Sequence, residues 1–450
     1  MRYPRYLQLL PLALALSTAA HAQTSFETYR LTRLDNISGA SVGINDINEQ
    51  GEMVGFQFDQ GRTRGVLLRD GMVIDLGDLM GGASMQTIAV AINELTQITG
   101  HSTVPDPSGQ RVGLSRGFLW EAGQIRDLGI DPNVRPGDIG NVLPSDINDR
   151  GEIVGTTTAV STENVFSSRP FLWKAGRTTF LELPACPTPN GSALAINENG
   201  VIVGSLEFRA AIWRSGEVMV LEPTQPLAFG EAVDVNDRDE VIGNYFTPEI
   251  NEPVEIDEIN MAFLWHDGGV VVLPPGQGVH PFAVSINNAG QVVGHTTLSR
   301  LSTPDPGPPT FERATLWQDG VAADLTDLIS DDDPGRGFVT LRFAFRIFDS
   351  GVIVVNGQDS RDASQASYFL TPTGVSVPVA SPPAPSPPPS STDTDGASGT
   401  DSGGGAVDLL SLVFLMLGLS SFVRSQSRRC AGARVGGRRV REREFLEFVG

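Results

Sequence analysis

The chain has 450 residues, 40% of them hydrophobic and 19% charged, which is enough apolar material for a large core. Its formal net charge of −21 argues against nucleic acid or an anionic membrane surface as a partner. Only two cysteines are present, Cys186 and Cys430, so neither an internal disulfide framework nor a cysteine metal cluster is expected.

Residues 1–22 carry Arg2 and Arg5, an apolar run from Leu7 to Leu16, and then Ala20-His21-Ala22. A charged start, a short apolar stretch and a small-residue end form a secretory signal peptide, with cleavage expected after Ala22. The export machinery is therefore an expected partner, and the folded body is expected outside the cytoplasm. The next segment, Phe26 to Leu34, resembles the last strand of a repeat that begins later. Gly39-Ala40-Ser41-Val42-Gly43 matches G-x-S-x-G, but no helix pattern follows it, so the context of a nucleophile elbow is missing.

From about residue 40 to 375 one unit recurs. All five tryptophans, Trp120, Trp173, Trp213, Trp265 and Trp317, occupy one position in it, 53, 40, 52 and 52 residues apart. Leu68 and Phe369 hold the same position in two degraded copies. Each unit has an apolar segment ending at Asn48, Asn93, Asn148, Asn197, Asn236 or Asn287. Gly51, Gly151, Gly200 and Gly290 follow three residues later, a spacing that suits a turn opened by Asn and closed at positive φ. Thr96 and Asp239 replace that glycine in two units, where a different or strained turn is expected. A β-branched run, a variable loop, the Trp segment, a second Gly turn and a fourth short segment complete the unit.

Four strands per unit and seven units predict an all-β fold, a β-propeller of about seven four-stranded blades, with six or eight left open. Two segments compete to close the ring: Phe26 to Leu34, and a proline-broken strand near Val375 to Val379. The propeller is expected to span residues 23–376.

Beyond it, residues 377–405 turn to Pro, Ser, Thr, Asp and Gly, the composition of an extended linker. Gly403-Gly404-Gly405 ends that linker, residues 406–423 are apolar except for Asp408, and residues 424–450 hold eight arginines. Eighteen mostly apolar residues followed by arginines read as one transmembrane helix with a cytoplasmic tail. The charge divides accordingly: residues 23–405 contain 22 basic residues against 49 acidic ones, a net −27.

Alternation of Ala-Ile-Asn-x-x-Gly-x-Val-Val-Gly with Ala-Phe-Leu-Trp and Asp-Leu-Gly resembles the HAF-repeat family of probable extracellular bacterial proteins. The resemblance covers about residues 40–375 and implies no activity. The chain departs from the family's His-Ala-Phe, with Arg64, Arg116, Arg169, Arg209 and Arg313 at the His position, Met261 once, and Gln365 in the last copy. The C-terminus from Gly403 to Arg429 is similar to the GlyGly-CTERM sorting signal, which implies a rhomboid-type sorting protease as partner and processing near Gly403, Gly404 and Gly405.

In Arg-x-Phe-x-Trp, strand alternation puts all three side chains on one face. Because the Trp recurs in nearly every unit, blade-to-blade packing is expected in place of sugar platforms. The recurring arginines invite carboxylate partners among Asp46, Asp146, Asp234, Asp75, Asp127 and Asp324. No histidine pair has zinc-ligand spacing. Asp331-Asp332-Asp333-Pro334-Gly335 and Asp393-Thr394-Asp395-Gly396 read as solvated acidic loops able at most to hold Ca2+ loosely, and no other cofactor is implied.

The long loops 102–115, 156–168, 245–260 and 296–312 recur at one place in the unit and are expected to share one face, the candidate binding surface. The expected function is an exported, surface-displayed or secreted non-catalytic propeller of unknown ligand. A propeller enzyme acting on an extracellular polysaccharide and a structural envelope protein are the alternatives. Carboxylates converging on the axis would favour the enzyme.

Overall fold

A computed structural model describes residues 24–34, 42–59, 61–105, 113–130, 139–160, 166–183, 190–221, 229–248, 258–297 and 312–378. The signal peptide with Ala22, most of the 377–405 linker with Gly403 to Gly405, the 406–423 span and the basic tail lie outside them, as do most residues of the four long loops.

Among the described residues every regular element is a β-strand, and the strands form seven antiparallel sheets of four. In blade 1 the strands are Val42–Ile47, Met53–Asp59, Arg62–Arg69 and Met72–Asp75, hydrogen-bonded in chain order. Blades 2 to 6 repeat this order, with first strands Thr87–Ile92, Ile139–Ile147, Gly191–Ile196, Phe229–Val235 and Val279–Ile286. Blade 7 takes Val339–Ile347, Ile353–Asp359 and Gln365–Pro378 from the end of the body and its fourth strand, Ser25–Leu34, from the beginning. The fold is a seven-bladed β-propeller.

The N-terminal strand therefore closes the ring, and no separate strand is formed near Val375 among the described residues. Val375 to Pro378 continue the third strand of blade 7, which runs 14 residues to Pro378, past the expected boundary at 376. Pro372 is tolerated because the second strand stops pairing at Leu370. Beyond that point only the N-terminal strand needs partners.

In the acidic loop at residues 331–333, Asp331 and Asp332 are solvated as expected, at 95% and 64% exposed, whereas Asp333 is buried and locks this closure. Asp333, 6% exposed, accepts the Leu31 amide at 2.8 Å and the Gly335 amide at 2.7 Å. Asp332 pairs with Arg30, and Asp331 with Arg336 at 3.3 Å.

The core is divided into seven clusters, one at each blade–blade interface. Neither face of a four-stranded sheet can be left wet, so each blade buries one face on its predecessor and the other on its successor. Phe26 and Tyr29 of the closing strand are sealed in the cluster between blades 6 and 7. Ile47, Met53, Val66 and Leu68 meet Phe348 and Val354 where the last blade joins the first.

A single direction follows for every blade. The first strand runs toward its Asn, so the Asn turns and the third-to-fourth-strand hairpins share one end, the turn end. The second-to-third-strand loops and the connections between blades share the other, the loop end. Glycine inside the second strand is required: a Cβ on Gly204, the third residue of Ile202–Leu206, would stand 2.0 Å from the Ser192 carbonyl oxygen of the inner strand.

Candidate functional site: the central channel

Seven first strands surround the axis, and three levels of side chains line it. At the turn end each Asn folds its own turn, with Oδ1 of Asn148 accepting the amides of Glu152 at 3.0 Å and Arg150 at 3.2 Å. Its Nδ2 donates across the interface to the backbone oxygen of Asn197 at 3.1 Å. The same donation links Asn48 to Asn93, Asn93 to Asn148, Asn197 to Asn236, Asn236 to Asn287, and Asn287 to Phe348. Phe348 occupies the Asn position of blade 7 and has no amide to give, so this chain of bonds breaks between the last blade and the first.

A second ring repairs the break. The residue after each Asn position donates its backbone N–H to the side chain of its counterpart in the next blade. It runs Glu49, Glu94, Asp149, Glu198, Asp237, Asn288, Asp349 and back to Glu49, with every N···O distance between 2.7 and 2.9 Å. Six carboxylates and one carboxamide thus encircle the turn end. Burial, together with neighbouring carboxylates, pushes the Glu94 and Glu198 carboxyls up. Asn288 relieves the crowding by donating to Asp237 at 3.1 Å and Asp349 at 2.7 Å.

Thr96 and Asp239 keep the turn geometry of the glycines they replace, at φ 57° and 61°. Their strain is offset across the interface. Thr96 donates to Glu52 at 2.7 Å, and Asp239 accepts from Asn197 at 2.8 Å.

One level deeper lie Asp46, Asp146 and Asp234, brought together with Arg346 of blade 7. A bulge in each first strand turns the residue two before the Asn toward the next blade. Asp46 there accepts the Ile92 amide at 2.9 Å, Asp146 that of Ile196 at 2.8 Å, and Asp234 that of Ile286 at 3.0 Å. The second oxygens of Asp146 and Asp234 accept the amides of Ile147 and Val235, both at 2.8 Å. Arg346 lies 3.8 Å from Asp46. Burial raises the Asp46 carboxyl and carries Asp146 to about 7, while the carboxylates, Asp46 foremost, hold the Arg346 guanidinium firmly charged. The Arg346 side chain is 42% exposed.

The level toward the loop end is unlike the other two. It is set by the cross-strand pairs Ile88–His101, Ser192–Ser205, Glu231–Asn244 and Phe282–His295, with Phe343 in blade 7. Burial lowers His101 and His295 to about 4, so both imidazoles are neutral at pH 7. Asn244 is committed to both backbone groups of Ala283, at 3.0 and 2.9 Å. Glu231 is not committed: burial alone raises its carboxyl, and no donor or cation meets it among the described residues.

The five tryptophans are buried in third strands, each packed on the preceding blade. Trp173, Trp213 and Trp317 donate their indole N–H to Leu128, Glu182 and Pro274 oxygens at 3.0, 2.9 and 2.7 Å. Three recurring arginines pair within their own blade, Arg64 with Asp75, Arg116 with Asp127 and Arg313 with Asp324. Arg169 lies over the Phe180 ring instead. Asp46, Asp146 and Asp234, expected among these partners, turn to the axis. In the G-x-S-x-G stretch only Val42 and Gly43 are described, and they open a strand. No group of three or more His, Cys, Asp or Glu is arranged to hold a metal ion among the described residues.

Sequence reasoning missed both inter-blade rings and Arg346. The signal for the carboxylate ring was present, since an Asp, Glu or Asn directly follows every Asn position and Phe348.

No protein-family model matches the sequence, and no curated protein does. Among solved structures, the β-propeller domain of the Trilobed protease from Pyrococcus furiosus is similar at TM-score 0.38 and 12% identity, over 65% of this chain and 85% of that one. The Penicillium chrysogenum α-L-arabinanase complexed with arabinobiose is similar at TM-score 0.33 and 9% identity, over 78% and 98%. The Trypanosoma rangeli sialidase in complex with sialic acid is similar at TM-score 0.33 and 12% identity, over 79% and 59%. Likeness at this level carries no inference about activity.

Proposed function

We propose that the body is a non-catalytic binding module, exported by its N-terminal signal and sorted through its C-terminal Gly-Gly-Gly, helix and arginines, that takes its ligand at the loop end of the channel. One observation carries the non-catalytic part. The three axial aspartates, the only carboxylates at their level among the described residues, accept backbone amides of the next blade or meet Arg346. Carboxylates spent on holding blades together are not available as nucleophile or base. The turn end is taken up by the Asn ladder and the hydrogen-bonded carboxylate ring, which leaves the loop end for approach.

The second reading, a polymer-degrading enzyme, is favoured by the convergence of Asp46, Asp146 and Asp234 on the axis and by Glu231, whose raised carboxyl suits a general acid. Glycoside cleavage by the two-carboxylate route needs a partner for it. The described residues paired at its level in the other blades, such as Ile88, Ser192 and Phe282, supply none.

Two measurements test the proposal. Intact mass of the native protein should give an N-terminus at Gln23 and a C-terminus near Gly403 to Gly405; a C-terminus at Gly450 would overturn the sorting step. Affinity chromatography on immobilised polysaccharides and peptides should retain the protein, and failure to be retained by any of them would overturn the binding role.

A further inference from the structure

At the loop end of blades 4 to 7 aromatic side chains follow one another as a rail, with one step made through cross-strand pairing alone. It starts on the surface with Phe208 and Phe229, 38% and 50% exposed, whose rings meet edge to face at 6.3 Å. Phe229 is the cross-strand partner of Phe246, and Phe246 reaches Phe282 in the next blade at 6.3 Å. Phe282 stacks on His295 at 5.2 Å, and His295 meets Phe343 of blade 7 at 5.0 Å. A globular protein has no packing reason to run rings from an exposed edge into a channel; such a rail offers flat faces to a ligand.

Beside this rail the polar groups lack partners. Glu231 shares its level with Phe282, one blade on, and faces no donor among the described residues. Asn260, the cross-strand partner of Phe246, has a buried Oδ1 without a hydrogen bond. His280, two residues before Phe282, has a buried Nδ1 without one, and its backbone is held at φ 51° inside an irregular stretch of the strand. Two of the five buried unpartnered side-chain atoms among the described residues thus belong to the adjacent blades 5 and 6, and Glu231 lies on the first strand of blade 5. Unsatisfied polar groups and a strained bulge persist where a ligand completes them.

The missing chemistry can be specified. A carboxylate and an amide oxygen accept hydrogen bonds. Aromatic faces attract cations. The body carries a net −27 between residues 23 and 405, which concentrates cations and repels anions.

We propose that the seam between blades 5 and 6, at the loop end of the channel, is a subsite for an organic ammonium group, with Glu231 as its counter-ion and the Phe208-to-Phe343 rail stacking the chain that carries it. This rests on the binding role proposed above and names its ligand chemistry. An amino-sugar oligomer and a lysine side chain both present that group.

Calorimetric titration of the full chain in mild detergent, at pH 7 and low salt, decides between outcomes. The probes are a glucosamine tetramer, the fully N-acetylated tetramer of the same length, and trilysine. The ammonium-bearing tetramer should bind at least about tenfold more tightly than its acetylated counterpart, as expected for one charge-assisted contact. Glu231→Gln should remove about that factor, and Phe282→Leu should weaken the tetramer while preserving the fold by circular dichroism. Trilysine bound with the same Glu231 dependence would show that the ammonium group is recognised whatever carries it; trilysine bound more weakly would identify the amino sugar. Equal binding of the charged and acetylated tetramers, binding indifferent to Glu231→Gln, or no binding of any ammonium probe would overturn the subsite. A neutral ligand retained at the loop end would in that case leave the binding role standing.

Discussion

Replacing Asn148 with alanine isolates what the Asn ring contributes. The side chain is 4% exposed and makes four hydrogen bonds, two received from the Glu152 and Arg150 amides and two donated to the Asn197 carbonyl and the Glu152 carboxylate. Removal orphans the buried Glu152 N–H, at about 1–3 kcal/mol, and takes one donor each from the Asn197 oxygen and the Glu152 carboxylate, at about 1 kcal/mol apiece. The expected loss is about 3–5 kcal/mol. With an unfolding entropy of ~2.1 cal/mol/K per residue over a body of about 350 residues, that lowers Tm by about 4–7 °C. Asn148→Asp should not rescue, because it turns a carboxylate toward the Glu152 carboxylate and the Asn197 oxygen. Asn45→Ala, which removes one part-buried bond to the Ala89 oxygen, should cost no more than about 1 kcal/mol. Thermal melts followed by far-ultraviolet circular dichroism measure all three. An Asn148→Ala protein within about 1 kcal/mol of wild type, or an Asn148→Asp protein equal to it, would refute the reasoning.

Closure by the N-terminal strand predicts that Phe26→Ala, at a fully buried site, costs about 3–5 kcal/mol and speeds proteolysis at blade 7 before other blades; uniform cleavage around the ring would contradict it. Asp146 gives a pH dependence of definite sign. Its folded carboxyl titrates near 7 against about 4 when unfolded, so the folded state binds the extra proton between those values. Its contribution to stability is therefore fullest below pH 4 and declines as pH rises to 7. Asp146→Asn should flatten the Tm profile across that window, and an unchanged slope would count against it.

About seven blades were readable as periodicity, with six or eight left open, whereas ring closure was not settled, because two segments competed for the outer strand of the last blade. The tryptophan spacing marks third strands because each indole fills the same gap against the preceding blade, and the lone segment Phe26 to Leu34 looks like a fourth strand because it is one. The site was less legible. Asp46, Asp146 and Asp234 alternate with Ala91 and Ala195 along the chain, but only the ring brings odd-numbered blades face to face with Arg346. The bulge that aims them shifts the register by one residue, which alternation alone does not reveal. The residues after the Asn positions were visible as acidic turn residues, yet their meaning depends on a neighbour 39 to 61 residues away. The rail from Phe208 to Phe343 joins rings scattered over four blades, so no local pattern announces it.

The central claim is that the axial carboxylates hold blades together and perform no chemistry. Reducing-end release is the direct test: incubate the wild-type protein with each polysaccharide that retains it and assay the supernatant for new reducing ends over a day. Retention without release is the predicted result. New reducing ends that disappear in Asp146→Asn or Glu231→Gln, with the variant still folded and still retained, would contradict the account and make the channel an active site.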